Sequence, residues 1–362
     1  MAESSERALV RRARRVVLKI GSKTLAADRA VYARIARELA SLKSDKRDFV
    51  LVSSGAIALG VTKLGLRSRP REMAWLQAAA AAGQSVLMQR YEEAFGEVDV
   101  AVAQVLLTHA DLADRSRANN ARAALGALLS AGALPIINEN DTVAVDEIRF
   151  GDNDQLASMV VPLVDADLLL LLSDVEGLLD GAGKRVPLVR DTIHEARPLA
   201  GKSVSGVGTG GMASKVEAAR KATLAGASVV VADARVEGLL ASILNGDDVG
   251  TLFVPAAPKL NARRHWIAFT LRPRGTLVLD RGAAEAVQRR GKSLLAVGVL
   301  GVRGDFRVGD SVAIVDPDGH ELGRGLARLS ASEATAAAGK KREEGEDEVI
   351  VVHRDDLVLV ET

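Results

Sequence analysis

The chain has 362 residues, 48% of them hydrophobic but only 3% aromatic, and 48 basic side chains balance 47 acidic ones to a net charge of +1. That length suits two domains, whose cores must be filled by aliphatic residues and Ala. The near-zero balance provides no global field toward nucleic acid or an anionic membrane. The absence of Cys excludes disulfides, thiolate nucleophiles and Cys-based zinc sites, and suits a cytoplasmic protein.

Arg7, Arg11, Arg12, Arg14 and Arg15 crowd the start of the chain with no apolar segment behind them. This reads as a solvated basic arm, not a secretory signal. No apolar run is long enough to span a bilayer. Residues 15–20 then form an apolar run bounded by polar residues, a strand. Residues 31–42 place Ile35, Leu39 and Leu42 on one helical face. A second strand covers 49–52, followed by helices over 54–64 and 72–95. Apolar runs at 100–107, 134–137 and 168–172 read as buried strands, with helices at 115–129 and 152–163 between them. A further helix at 212–225 leads into a strand at 228–231. Apolar strands without strict alternation, separated by helices, predict an α/β fold: a mostly parallel sheet sandwiched by helices. Ligands bind such sheets beyond the carboxyl ends of the strands.

Polar residues collect at those ends. Lys19 closes the first strand, and an unpaired ammonium there would be costly to desolvate, so it either snorkels or meets an anion. Ser53-Ser54-Gly55-Ala56 brings small residues to a helix start, where backbone N–H groups and hydroxyls face an anion or simply cap the helix. Asn138-Glu139-Asn140-Asp141 and Gly151-Asp152-Asn153-Asp154 are dense in amides and carboxylates, a pattern shared with ordinary Asx-turns. Ser173-Asp174 follows the 168–172 strand. The run Gly206-Val207-Gly208-Thr209-Gly210-Gly211-Met212-Ala213-Ser214-Lys215 puts a lysine one helical turn past a glycine-rich loop. Alone it reads equally as a phosphate cradle or as a glycine-rich surface loop. It is not a Walker A loop, because Met212 stands where that loop needs Lys.

Pro255-Ala256-Ala257-Pro258 interrupts the pattern. From Arg274 on, short alternating segments are punctuated by the turns Arg303-Gly304-Asp305, Val308-Gly309-Asp310 and Asp316-Pro317-Asp318-Gly319, which predict a small, mainly β domain. The expected division is a domain over 1–258, a linker over 259–273 and the β domain over 274–362. The mixed-charge block 340–348 reads as a solvated loop. His353-Arg354-Asp355 imitates a kinase catalytic loop but lacks the Asn five residues on, and the five His residues show no metal-ligand spacing.

Taken together, Val17–Ser22, Ser53–Ala58, Gln104–Thr108, Ile137–Asp141, Gly151–Asp154 and Ser203–Met212 resemble the amino acid kinase family, in its order and across nearly all of the first 255 residues. Residues 274–362 resemble a PUA domain. The resemblance implies transfer of the γ-phosphoryl group of ATP, with Mg²⁺, to the side-chain carboxylate of L-glutamate, giving glutamyl 5-phosphate at the first step of proline synthesis. The motif pair at 138–141 and 151–154, with the PUA-like tail, favours glutamate over the acceptors of other family members. It implies that Lys19 and Lys215 bind the phosphates and stabilise the transferring phosphoryl, with Asp154 holding both lysines. Ser54, Gly55, Asp141 and Asn153 would bind glutamate, with Asn138 and Asp152 as further site residues. Ser173, Asp174, Thr209, Gly210, Gly211, Met212, Ala213 and Ser214 would contact the nucleotide. No protein-held metal is implied. By the same resemblance the chain forms a homodimer or homotetramer, responds to proline as a feedback inhibitor and passes its product to glutamyl phosphate reductase. An RNA role is disfavoured because the tail lacks strong basic charge and aromatic interleaving.

Overall fold

The structure is a computed structural model that describes residues 6–27, 29–43, 47–144, 153–201, 211–255, 259–340 and 348–359. The chain divides into two compact units, Met1–Lys259 and Leu260–Thr362.

In the first unit the described strands are β1 (Arg15–Ile20), β2 (Asp48–Val52), β3 (Val102–Leu107), β4 (Leu134–Glu139), β5 (Leu168–Ser173), β6 (Leu188–Val189), β7 (Ser228–Asp233) and β8 (Thr251–Phe253). They form one sheet in the order β3-β4-β2-β1-β5-β7-β8-β6. Every pairing is parallel except β7 with β8. The chain adds strands on one side of β1 through β4, then crosses to the other side for β5. β1 is therefore the switch point, where the strand order reverses and a crevice opens at the carboxyl edge.

Period-two alternation assigns the two faces. Val16, Leu18 and Ile20 of β1 join Leu168, Leu170 and Leu172 of β5 in one core layer. Val17 joins Leu169 and Leu171 in the other. Both faces are covered, which explains the uninterrupted apolar strands. The second layer also holds Leu156, Ala157 and Val160 of the helix Asn153–Leu163, and Val216 and Ala219 of the helix Met212–Leu224. Lys19 follows the parity of Val17, so it projects toward the layer of these two helices. On the other face, Ile35 and Leu39 of the helix Ala30–Lys43 are 4% exposed, as the helical spacing required.

The arm reading of the N-terminus is corrected here. Arg7–Arg12 is a helix. Arg7 is 6% exposed and donates to the carbonyls of Val249 and Pro187 and to Asp248 Oδ1. Its fork binds two loop carbonyls and a carboxylate distant in sequence, which an exposed arm could not do.

The second unit is a six-stranded sheet in the order β10-β14-β13-β12-β9-β11. These strands are β9 (Gly275–Leu279), β10 (Leu294–Leu295), β11 (Val299–Gly304), β12 (Ser311–Val315), β13 (Glu321–Ala327) and β14 (Ile350–Leu359). Leu277, Phe306, Val312, Ile314 and Val351 fill its core. The expected linker is not a free connector beyond residue 259. Ala262–His265 and Trp266–Thr270 are helical turns; Arg263 Nη2 pairs with Asp356 Oδ1 at 2.6 Å, and Arg324 Nη1 donates to Ala268 O at 3.0 Å. Ile267 and Ala268 are buried there, so this stretch packs with the β unit. Residues 341–347 of the charge block lie outside the described residues.

Candidate active site

The carboxyl ends of β1, β2, β4 and β5 converge at the switch point. Lys19 lies one residue from the end of β1, in register with Val52 and Leu171 on its neighbours. Asp154 and Lys215 each occupy the first turn of a helix in the second core layer. The three meet: Lys19 Nζ lies 2.5 Å from Asp154 Oδ1 and Lys215 Nζ 3.1 Å from Asp154 Oδ2. Their side chains are 8%, 0% and 5% exposed for Lys19, Asp154 and Lys215. Burial pushes the Asp154 carboxyl up, but the two ammonium groups outweigh it and the net shift is down. Among the described residues the two ammonium groups share this one carboxylate, which gives these three side chains a net positive charge in a dry setting, where an anion is held strongly.

Next to this triad is an amide cluster. Asn153 Nδ2 donates to Ser53 O at 2.5 Å, to Ser54 Oγ at 3.0 Å and to Asn138 Oδ1 at 2.9 Å. Asn153 and Asp154 are consecutive, so a single helix start serves both clusters. Gly55 makes the loop possible: its φ is 98°, a left-handed conformation that a side chain would strain, as the chain turns from β2 into the helix Ala56–Lys63. Ser53 is fully buried, its N–H donating to Ile137 O at 2.8 Å and its Oγ 2.9 Å from the Tyr91 hydroxyl. Burial raises the Tyr91 pKa, so that hydroxyl stays protonated.

The remaining expected residues are placed as follows. Asp141 is half-buried in the turn that leaves β4, where Ala144 N–H donates to Asn140 O. Ser173 ends β5, 8% exposed, and its Oγ donates to Asp174 Oδ1 at 3.1 Å. Asp174 is bound at 3.2 Å by Lys23. Burial raises the Asp174 carboxyl, the bonds from Lys23, its own backbone and Ser173 lower it, and the net shift is down. Gly211 is the N-cap of the helix Met212–Leu224, with Met212, Ala213 and Ser214 in its first turn. Gln155 ties that turn to the neighbouring helix, donating to Ser214 O at 3.1 Å and accepting from Lys221 Nζ at 2.5 Å. Asp152, Thr209 and Gly210 lie outside the described residues.

Sequence reasoning missed Gln84, Tyr91 and Lys23. Gln84 Oε1 accepts from Asn138 Nδ2 at 2.8 Å. A usable signal stood beside it: Gly60 and Gly83 interrupt two helices. A Cβ on Gly60 would fall 1.7 Å from Ala79 O, and one on Gly83 1.8 Å from Ala56 O. Glycines inside helices mark close backbone approach, and this approach seats the helix Met73–Gly96 beside the site.

Among the described residues, the one group of carboxylates and His that could gather round an ion is Asp316, Asp318 and His320, in the β unit. No described helix is long and apolar enough to cross a membrane.

Comparison with known proteins identifies the family and the two domains. Residues 14–233 match the amino acid kinase family and residues 275–356 the PUA domain. A Myxococcus xanthus protein named glutamate 5-kinase is 47% identical over 376 residues, covering 99% of each chain. One of the same name from Trichlorobacter lovleyi is 46% identical over 374 residues, covering 98% of this chain and 99% of its own. Among solved structures, Giardia carbamate kinase aligns with a TM-score of 0.50 at 18% identity, over 68% of this chain and 100% of its own. N-acetylglutamate synthase from Neisseria gonorrhoeae aligns at 0.52 and 18%, over 71% and 63%. At such identity these two structures speak for the fold alone. With its parallel sheet, its site at the switch point and its match over residues 14–233, the chain belongs to the amino acid kinase family and carries a PUA domain.

Proposed function

We propose that this chain transfers the γ-phosphoryl group of ATP to the side-chain carboxylate of L-glutamate, forming glutamyl 5-phosphate for proline synthesis. The observation that carries the reading is the Asn153–Asp154 junction. It joins a dry, net positive triad suited to a phosphoryl group to an amide and hydroxyl cluster suited to an amino acid. The full-length similarity to proteins named glutamate 5-kinase supports the choice of acceptor.

Phosphoryl transfer needs alignment and charge stabilisation more than covalent help from the protein. Lys19 and Lys215 flank Asp154 on its two oxygens, so they can bracket an anion brought up to them. Asp154 holds both ammonium groups in place before ATP arrives, so little reorganisation remains for the transition state. A glutamate side chain has a reference pKa of about 4.3, so the acceptor enters as an ionised nucleophile and needs no general base. Ser54 and Asn153 orient it, with Asp141, Gly55 and Asn138 around them. Ser173, Asp174 and the start of the helix Met212–Leu224 form the nucleotide side.

The residues fit magnesium brought in on the nucleotide better than a protein-held ion. Asp154 is taken by two lysines and Asp174 by Lys23. Mg²⁺ characteristically keeps its waters and leans on phosphate oxygens. When bound, it would neutralise part of the triphosphate charge. Proline inhibition, a homo-oligomer and hand-over to glutamyl phosphate reductase rest on the resemblance alone.

The test is a hydroxamate assay with ATP, Mg²⁺ and a panel of acceptors. Glutamate is expected to be the preferred substrate. Turnover of aspartate or N-acetylglutamate, with none of glutamate, would overturn the reading.

A further inference from the structure

The hydrogen-bond directions in the amide cluster form a determined series. Glu139 N–H, an unambiguous donor, points at the Asn138 side chain at 2.9 Å, so the atom it meets is Oδ1. Asn138 must then turn Nδ2 toward Gln84, which answers with Oε1 at 2.8 Å. Asn138 Oδ1 also receives Asn153 Nδ2 at 2.9 Å. Asn153 could not be reversed without setting its own oxygen against the Ser53 carbonyl and Asn138 Oδ1. With Nδ2 so directed, Ser54 Oγ accepts from Asn153, and the Ser54 hydroxyl proton goes to no described residue. Asn153 Oδ1 likewise accepts from none of them. The wall therefore offers one donor and one acceptor side by side.

We propose that Gln84 is a positioning residue for the acceptor substrate, acting through Asn138 and Asn153 to keep Ser54 a donor toward a substrate carboxylate. Gln84 touches no reacting atom. It is half-buried on an Ala-rich helix, between Gly83 and Ser85. Its Nε2 is buried with no partner among the described residues. An amide left half-satisfied costs stability relative to an apolar side chain, so what Gln84 contributes is the acceptor it turns to Asn138. Without that acceptor, Asn138 Nδ2 is unpaired. Asn138 is then held only by Glu139 N–H and Asn153, and the orientation that leaves Ser54 its proton is kept less firmly. This inference rests on the reading that the site takes glutamate.

The experiment compares Gln84→Met with Gln84→Glu, measuring kcat, both KM values and the thermal midpoint. Met keeps length and packing but removes the acceptor; Glu keeps the acceptor and adds charge. Positioning through hydrogen-bond direction predicts that Met raises KM for glutamate roughly five- to thirtyfold, the usual worth of one or two lost hydrogen bonds. KM for ATP should stay within about twofold, and Glu should lie nearer the wild type than Met does. A packing role predicts the reverse order. Gln84→Leu provides the same comparison should the Met variant not fold. A Met or Leu variant with unchanged KM for glutamate, or a Glu variant worse than Met, would overturn the proposal. A wild-type enzyme that does not phosphorylate glutamate would instead overturn the functional reading, and the two failures are separable because the second appears before any mutation is made.

Discussion

The two edges of the eight-stranded sheet use the same charges and do different things with them. At the amino edge, Arg15 of β1 pairs with Asp48 of β2 at 3.1 Å, with side chains 35% and 44% exposed. Asp167 accepts from the backbone N–H groups of Arg14 and Arg15. At the carboxyl edge, four residues further along β1, Lys19 joins Asp154 and Lys215 with exposures of 8% or less. One edge is wet, with an arginine and a carboxylate matched singly. The other is dry, with two cations on one carboxylate. Charge type therefore does not mark the site; burial and imbalance of charge do. A buried imbalance is costly to fold, and it persists where a ligand of opposite sign completes it.

That contrast is broken most severely at Asp154. Asp154→Asn or Asp154→Ala leaves two buried ammonium groups facing each other, and the expected loss of stability is about 3–5 kcal/mol, the usual cost of breaking a buried ionic cluster from one side. Denaturant unfolding of the variants measures it. The pH dependence carries a sign. The folded pKa of Asp154 is lowered, so its stabilisation is complete above the ordinary carboxylate range of about 4 and is lost as pH falls through the lower folded value. The wild type should therefore lose stability on acidification more steeply than Asp154→Asn. Parallel acid limbs would mean that Asp154 is not held by its two lysines in solution.

Removing one lysine should do the opposite. Lys215→Ala leaves Lys19 and Asp154 as a balanced pair, so the fold should tolerate it. The kcat should fall roughly 10²–10³-fold, the scale of losing one charged stabiliser of a transition state. An unchanged kcat in the purified, folded variant would sink the two-lysine mechanism.

Lys19 could be suspected from the sequence because its position at the end of an apolar run leaves an ammonium in need of an anion. Asn153 and Asp154 could be suspected from their density of polar groups. Which anion Lys19 meets came only from the family resemblance, which implied Asp154. The residues themselves did not show it, because Asp154 and Lys215 reach Lys19 through side-chain parity on β1 and the packing of two distant helices in one layer. Gln84 and Tyr91 were hidden for the same reason. Each looks like an ordinary helical residue until Gly60 and Gly83 let two helices touch and seat them beside the site. Arg7 was read as solvated because charge dominates a sequence reading, whereas its partners are carbonyls about 180 and 242 residues away. The short strands β6, at the edge of the sheet, and β8 beside it, of two and three residues, carry too little pattern to be seen.

Smaller effects sharpen the comparison. Ser54→Ala removes the hydroxyl proposed to face the acceptor substrate without removing any member of the triad. It should raise KM for glutamate roughly tenfold, in line with one hydrogen bond to a charged group, and leave KM for ATP in place. A shift in KM for ATP alone would move Ser54 to the nucleotide side.

The smallest effect belongs to the amino edge. The Asp48→Ala change removes an ion pair that water already screens, and pairs of this exposure contribute about 0–1 kcal/mol. Arg15 Nη1 also donates to Val164 O at 2.7 Å, so Arg15 keeps a partner when Asp48 is gone. The expected result is a stability change of at most about 1 kcal/mol that shrinks further in high salt, with kcat and both KM values unaltered. If Asp48→Ala cost as much as Asp154→Ala, or reduced kcat comparably, burial and charge imbalance would not be what distinguishes the two edges. The carboxyl edge would then need another explanation for its chemistry.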